Sequence, residues 1–196
     1  MSSKNEIIGR CRANIRERLP RPTLSDLDPT VYPDPLEKFI SMAQAVGCNV
    51  ARAKSKDETD SIIKETYPEA KVIASNLKEV KAATLNPDLV PDAQALNGTD
   101  VGVVKGELGV AENGSIWVPQ TMRERDICFI SENLVVILPE HRVVSNMHEA
   151  YREICFNDYG FGTFIAGPSK TADIAQVLVQ GAQAARGMTV ILVKSE

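Results

Sequence analysis

A chain of 196 residues that is 43% hydrophobic and 24% charged is long enough for one domain with a proper core, and its composition excludes global disorder. The formal net charge of -4 argues against nucleic-acid binding, because contacts to phosphates need a basic face. No apolar run approaches the ~20 residues that cross a bilayer, so we expect no membrane span.

The first 22 residues are basic and are predicted to be helical. Residues 4–19 place Ile8, Cys11, Ile15 and Leu19 at spacings of three and four, which predicts an amphipathic helix. The first 22 residues contain two glutamates and six basic residues: Lys4, Arg10, Arg12, Arg16, Arg18 and Arg21. Such a basic arm can bind an acidic partner, a membrane surface or its own domain, and a solvated helix face is the plainest interpretation. We divide the chain into an N-terminal basic helix and linker at 1–32 and a domain at 33–196.

The next part of the chain alternates between helix and strand patterns. A helix is predicted to begin after Asp34 and to end at Gly47. Strands at 48–53 and 71–75 then enclose a second helix at 56–67. Strand–helix–strand alternation predicts a parallel sheet with helices on its faces.

The second half of the chain contains more strand than helix. We predict strands at 101–104, 134–138, 161–166 and 189–193, and a strand pair at 110–118 that is interrupted by Glu-Asn-Gly. The apolar run Leu134–Leu138 is typical of a central strand. A last helix is predicted at 145–156 with Ser145 as its cap, and residues 176–186 fit helix and strand equally. The sum is an α/β fold with a mostly parallel sheet.

A Gly-Pro-Ser-Lys-Thr-Ala-Asp segment follows the strand predicted at 161–166. Its simplest interpretation is a helix start: Gly167 allows a tight turn, Pro168 suits the first helical position, and Ser169 or Thr171 caps the exposed N–H groups. Asp173 would favour the positive end of the helix dipole.

The same segment also suits a ligand site. Free N–H groups at a helix start, two hydroxyls and Lys170 would form a cradle for an anion or a phosphate. The spacing of a Walker loop is absent.

A second candidate segment is the hairpin around Ala-Glu-Asn-Gly, residues 111–114. Asn113 and Gly114 are typical of a type I′ turn, which would leave Glu112 in water without a role. Alternatively, Glu112 stands at a strand end beside a glycine that permits close approach of a substrate. It could then act as a nucleophile toward a thioester or as a base.

The histidines and cysteines give weaker signals. His141 follows the predicted central strand, where α/β proteins often place their sites, but a lone histidine is more often structural. His141 and His148 lack metal-ligand spacing, and Cys11, Cys48, Cys128 and Cys155 contain no CxxC pair. We therefore expect no metal ion, iron–sulfur cluster or other cofactor. Scattered single cysteines without a secretory pattern predict a cytoplasmic protein.

Taken together, the segments Ala111–Gly114 and Phe164–Ile174, with the closing strand Thr-Val-Ile-Leu-Val, resemble the LUD (lactate utilisation) domain family, of the lactate utilization protein C type. The family typically shows an Ala-Glu-Thr-Gly turn before an apolar strand and then a Gly-Pro-Ser-x-Thr-Ala-Asp-Ile-Glu element. Two positions depart from that pattern: Ala175 stands where the family has glutamate, and Gln183 stands where it has histidine.

The resemblance implies a three-layer α/β sheet of the type shared by glucosamine-6-phosphate isomerase, ribose-5-phosphate isomerase and CoA transferases (NagB/RpiA/CoA-transferase-like). It also implies a role in oxidising L-lactate to pyruvate, in a set of three proteins of which the other two carry iron–sulfur clusters. Those iron–sulfur proteins are the implied partners, and the sequence is also compatible with a homo-oligomer.

Two hypotheses of function follow. In the first, the chain is a subunit or accessory of a lactate-oxidising system and has no redox centre of its own. In the second, it is a stand-alone enzyme of the isomerase/CoA-transferase fold acting on a thioester or a phosphorylated small molecule, with Glu112 as its catalytic residue. In both, the expected contacts to a small anionic or phosphorylated ligand come from two turns: Asn113, Gly114, Gly167, Pro168, Ser169, Lys170, Thr171 and Asp173.

Overall fold

The computed structural model describes residues 3–17, 19–20, 23–24, 27–155, 159–174, 177–182 and 184–194. The helices within these ranges are α1 (Ser3–Ala13), α2 (Pro35–Ala45), α3 (Glu58–Thr66), α4 (Ile127–Ile130) and α5 (Met147–Glu153). The strands are β1 (Asn49–Ala53), β2 (Ile73–Ala74), β3 (Val101–Lys105), β4 (Leu108–Val110), β5 (Ser115–Pro119), β6 (Asn133–Pro139), β7 (Val143–Val144), β8 (Gly162–Ile165), β9 (Lys170–Ile174), β10 (Val177–Gln180) and β11 (Gly187–Val193). Short 3-10 helices lie at Ala93–Leu96 and Glu140–Arg142.

Five parallel strands form the main sheet, in the order β1-β11-β6-β3-β2. The apolar run predicted as a central strand is β6, which lies in the middle of the five. Because both faces of this sheet are covered, β6 and β11 are buried along almost their whole length. The prediction of an α/β fold with a parallel sheet is confirmed.

The main sheet separates two hydrophobic cores. On one face, Phe39 and Ala43 of α2 pack with the cluster that includes Leu134, Val136 and Leu138. On the other face, Ile63 of α3 packs with alternate residues of the same strands, such as Ile137. The alternation of side chains along each strand therefore produces helix, sheet and helix layers. We call these two sides the α2 face and the α3 face.

A second, four-stranded sheet covers part of the α2 face, in the order β7-β4-β5-β8. Ile116 and Val118 of β5 join the core of the α2 face, whereas Leu108, Val110 and Trp117 pack on the opposite side with Ala150 of α5. This sheet contains the hairpin of β4 and β5, whose strands pair from Leu108–Trp117 to Val110–Ser115.

Helix α2 begins and ends where its sequence signals predicted. The Asp34 side chain accepts a hydrogen bond from the backbone N–H of Glu37 at 3.0 Å, and Pro35 occupies the first turn. At the other end, Gly47 has φ +95°, which favours glycine.

Helix α5 is capped by a different residue from the one predicted. The side chain of Asn146, not Ser145, accepts the hydrogen bond from Glu149 N at 3.0 Å. Ser145 contributes in two other ways: its N–H donates to the Glu149 carboxylate at 2.8 Å, and its hydroxyl accepts from Tyr32 N at 3.2 Å. The helix ends at Glu153, whereas the prediction extended it to residue 156, which lies outside the described residues.

The N-terminal helix is shorter than predicted. α1 ends at Ala13 rather than at residue 19 and buries none of its residues. Since no apolar face is covered, packing does not offset the entropy of ordering further turns, and a helix this short is marginal without packing. No helix in the described part of the chain is long and apolar enough to cross a membrane.

Candidate functional site

The Ala-Glu-Asn-Gly segment forms a four-residue turn between β4 and β5, in place of the two-residue turn predicted. Gly114 has φ +69°, and its N–H donates to Val110 O at 2.9 Å. A Cβ atom at position 114 would lie 2.7 Å from the backbone N of Ala43 in α2. The turn therefore needs glycine both for its backbone conformation and for its close approach to α2.

Glu112 is half-buried and is bonded to the segment that begins α5. Its carboxylate accepts a hydrogen bond from Met147 N at 2.8 Å, and its own N–H donates to Ser145 O at 3.0 Å. The Asn113 side chain accepts from the N–H and the hydroxyl of Ser115, at 3.0 and 2.7 Å. These contacts hold the turn against the start of α5. Glu112 therefore has a structural partner, which neither interpretation drawn from the sequence included.

The Gly-Pro-Ser-Lys segment does not begin a helix, so the predicted helix start is wrong. Lys170–Ile174 is a strand, β9, which pairs antiparallel with β10. Backbone groups that a helix start would leave free therefore face a second strand: Lys170 pairs with Gln180, and Thr171 with Val179. The side chain of Asp173 lies outside the described part of the structure. The cap and the phosphate cradle both required a helix at this point, so neither exists in the predicted form.

The turn before β9 is seated on the C-terminal end of α2. Gly167 has φ +74°, and a Cβ atom there would collide with the carbonyl of Val46. The Lys170 ammonium donates to that same carbonyl. Pro168 is buried against Gly47, and Ser169 N–H donates to Ala185 O at 2.8 Å.

The two predicted turns thus share a neighbour, α2. Gly114 meets it at Ala43, and Gly167 meets its C-cap residue, Val46, about one helical turn further along. The hollow that we predicted between the two turns stays a prediction. Three cavities in the described part of the chain are lined by residues other than Glu112 and 167–171.

Burial keeps a neighbouring thiol neutral. Cys48, which follows α2, has its pKa raised to about 11 by burial, against the smaller opposite effects of the Gly167 backbone and Lys170. A thiol with this pKa is protonated near pH 7 and is therefore a poor nucleophile.

A cavity lies elsewhere, at the carboxyl ends of the parallel strands. It has a volume of about 530 Å³. Its floor is formed by Ile137 and Pro139 of β6 and Val193 of β11, and Ser55 lies at its edge after β1. Ile137 and Val193 belong to the core of the α3 face, so the cavity opens on the side of the sheet opposite to α2 and the two predicted turns. We call it the carboxyl-edge cavity.

The topology favours a ligand site at this edge. After β1 the chain continues to α3 on one face, whereas after β3 and β6 it continues to the second sheet on the other face. In open α/β sheets, ligands bind outside the carboxyl ends of the strands where successive connections diverge in this way.

Five charged side chains and one histidine also line the cavity: Lys56, Asp57, Glu79, Lys105, Lys194 and His141. None of the three lysine ammonium groups forms an ion pair or a hydrogen bond with another residue of the described ranges. Three cations and two carboxylates leave a positive balance, which suits an anionic ligand. The lysines are exposed, so solvent screens each of them.

His141 is held between two anchored neighbours. The Glu140 carboxylate accepts a hydrogen bond from Arg52 Nε at 2.7 Å, which ties the segment after β6 to the edge strand β1. On the other side, Arg142 donates to Glu107 O at 3.2 Å and pairs with Glu153 at 3.0 Å. The sequence had indicated His141 by its place after the central strand. The sequence analysis missed Lys105, which ends β3, and Lys194, which directly follows β11.

Metal ligation has no geometric basis in this part of the molecule. No group of three or more His, Cys, Asp or Glu residues within the described ranges is placed to hold a metal ion. Residues 175 and 183, where the chain departs from the family pattern, lie outside those ranges.

Comparisons with known proteins identify the family. The family model of the LUD domain matches residues 75–193, which is more than half of the chain. The protein belongs to the LUD domain family. The matched part of the chain contains both predicted turns as well as Glu79, Lys105 and His141, whereas β1 and α3 precede it.

The fold is similar to that of a solved structure. It is the crystal structure of a DUF162 family protein from Deinococcus radiodurans, which is 15% identical and aligns over 84% of this chain and 99% of that chain, with a TM-score of 0.61. At this identity the likeness shows the fold alone. No curated protein matches the sequence.

Proposed function

We propose that this LUD-domain protein binds a small anionic molecule in the carboxyl-edge cavity and acts as a subunit or accessory of an L-lactate oxidation system, without its own redox centre. The observation that carries the proposal is a set of three lysines at the carboxyl edge of the sheet that have no ion-pair partner among the residues the structure describes. The connection to lactate rests on membership of the LUD family, and iron–sulfur proteins of that system would carry the electrons.

The N-terminal arm supports a role beside a partner protein. Seven of the ten large apolar side chains that are exposed in the described residues lie in the arm and linker: Ile7, Ile8, Ile15, Leu19, Leu24, Leu27 and Val31. Exposed apolar side chains interspersed with arginines suit a partner surface that is apolar and acidic. We propose that the arm contacts the iron–sulfur partner.

The contacts of Glu112 favour the subunit over the stand-alone enzyme. Its carboxylate is bonded to Met147 N, and the cavity lies on the opposite face of the sheet. Catalysis by Glu112, and ligand contacts from the 167–173 turn, would need a second ligand site on the α2 face.

A thermal-stability screen tests anion binding. A ligand that binds only the native state stabilises it by RT ln(1 + [L]/Kd), about 2.7 kcal/mol at a hundredfold excess over Kd. We expect an unfolding temperature raised by small carboxylates or phosphates, with the shift largely lost in Lys105→Ala. Lys71→Ala is the matched control, because Lys71 is equally exposed and precedes β2, at the opposite edge of the sheet.

Two results would contradict the proposal. If no carboxylate or phosphate raises the unfolding temperature, the cavity is not an anion site. If Lys105→Ala and Lys71→Ala respond alike, the anions act on general surface charge. The subunit role is tested separately by mixing the purified chain with the iron–sulfur lactate-oxidation proteins and measuring complex formation with and without residues 1–27.

A further inference from the structure

We propose that the ligand of the carboxyl-edge cavity is a phosphorylated small molecule, with its phosphate at the turn that opens α3, and that lactate and pyruvate are not its ligands. This inference rests on the proposed function, since it names the class of anion that the cavity takes.

The turn before α3 offers unused hydrogen-bond donors. The backbone N–H groups of Ser55, Lys56 and Asp57 meet no acceptor among the described residues, and the Asp57 side chain makes no capping bond. The carboxylate of Glu58 is bonded to Lys54 N at 2.7 Å. Successive free N–H groups beside the positive end of a helix bind phosphate well, because its three oxygens accept several hydrogen bonds at once.

The lysines add charge from two sides of the cavity. Lys56 belongs to the turn itself, whereas Lys105 ends β3 and Lys194 follows β11. Strands β3 and β11 are separated by β6, which places their backbones roughly 10 Å apart. A ligand with a doubly charged group at one end and a body that reaches across the floor can interact with lysines on both sides. A monocarboxylate of three carbons does this less well.

The size and the remaining polar groups agree with a larger ligand. A volume of about 530 Å³ lies within the range of roughly 300–1,000 Å³ that is usual for cofactor-sized and drug-sized ligands. Asp57 and Glu79 accept hydrogen bonds when ionised, so hydroxyl or amino groups on a ligand suit them. The geometry therefore points to a phosphate ester whose body carries hydrogen-bond donors.

The test compares two classes of probe under constant ionic strength. Glycerol 3-phosphate and inorganic phosphate are titrated into the full chain by calorimetry and by 31P NMR, and L-lactate and pyruvate are titrated by calorimetry. We expect glycerol 3-phosphate to bind at least about tenfold more tightly than L-lactate. One additional charge-assisted hydrogen bond to the phosphate would produce a difference of this size. Lys56→Ala and Lys105→Ala should each weaken its binding by about tenfold, with Lys71→Ala unchanged.

The two proposals fail differently. If L-lactate or pyruvate binds as tightly as glycerol 3-phosphate, and its binding depends on Lys105, the cavity is an anion site but its ligand is not a phosphate ester. If neither class of probe binds in a manner that depends on Lys56, Lys105 or Lys194, both proposals are wrong. Because all three lysines are exposed, their alanine variants are expected to fold, and far-UV circular dichroism checks this.

Discussion

Replacing Gly114 by alanine should destabilise the fold strongly, for two reasons that the structure separates. The backbone at φ +69° lies in the left-handed region, which costs a residue with a Cβ atom about 1–2 kcal/mol. The new Cβ atom would also lie 2.7 Å from Ala43 N and 2.8 Å from Met42 C, both backbone atoms of α2 that cannot rotate away. Forcing the turn and helix apart adds about 1–3 kcal/mol, the usual cost of overpacking.

Gly98→Ala is the matched control for that experiment. Gly98 has φ +84°, yet a Cβ atom there would have nothing within 4 Å. It should therefore show the backbone cost without the collision. Urea denaturation of both variants gives the free energies of unfolding, and we expect Gly114→Ala to lose more than Gly98→Ala by about 1–3 kcal/mol. Equal losses would show that the contact with α2 does not explain why this position needs glycine.

Three further predictions concern the surroundings of α2 and the arm. Glu112→Gln should lower the free energy of unfolding by about 0.5–1.5 kcal/mol, because the amide still accepts from Met147 N but carries no charge. Anion binding at the carboxyl-edge cavity should not change, and a loss of binding in calorimetry would contradict this. The pKa of Cys48, raised to about 11 in the folded chain from the ordinary 9.0, means that the unfolded chain releases this proton first as the pH rises. The contribution of this thiol to the free energy of unfolding is thus fully present below pH 9 and is lost by about pH 11. In Cys48→Ala, the free energy of unfolding should fall less over that pH interval, as measured by urea denaturation at each pH. Deleting residues 1–27 should change the free energy of unfolding by less than about 0.5 kcal/mol, because α1 buries nothing; a larger loss in the same assay would show that the arm packs on the domain.

The parallel sheet could be predicted because its signals are local and mutually consistent. The run Leu134–Leu138 is apolar at every position, which fits only a strand covered on both faces. Helix α2 carries a capping aspartate, a proline in its first turn and a glycine just beyond its end. In these elements the local pattern and the tertiary environment require the same residues, so no knowledge of the distant chain was needed.

The helix predicted after Gly167 failed because the deciding interaction is not local. Gly-Pro followed by hydroxyl residues is equally compatible with a helix start and with a turn that enters a strand. What distinguishes them is the pairing of Lys170–Ile174 with Val177–Gln180, a stretch whose sequence fits helix and strand equally. The cavity lysines were missed for a related reason: Lys105 and Lys194 are far apart in sequence and come together only through the strand order β11-β6-β3.

The two turns by which the family is recognised lie on one face of the sheet, and the carboxyl-edge cavity, with three lysines that have no ion-pair partner in the described part of the chain, opens on the other. Gly114 meets backbone atoms of α2 at Ala43, and Gly167 meets the carbonyl of Val46, the residue directly after α2; a Cβ atom at either glycine would collide with them. Since α2 precedes the residues matched by the LUD family model, these turns serve to seat a helix from outside that range onto the sheet. The chemistry of the carboxyl-edge cavity also depends on residues outside the range, because Ser55–Asp57 precede it and Lys194 follows it. A LUD domain with the same turns but a different segment after β1 would therefore keep the fold and bind a different ligand.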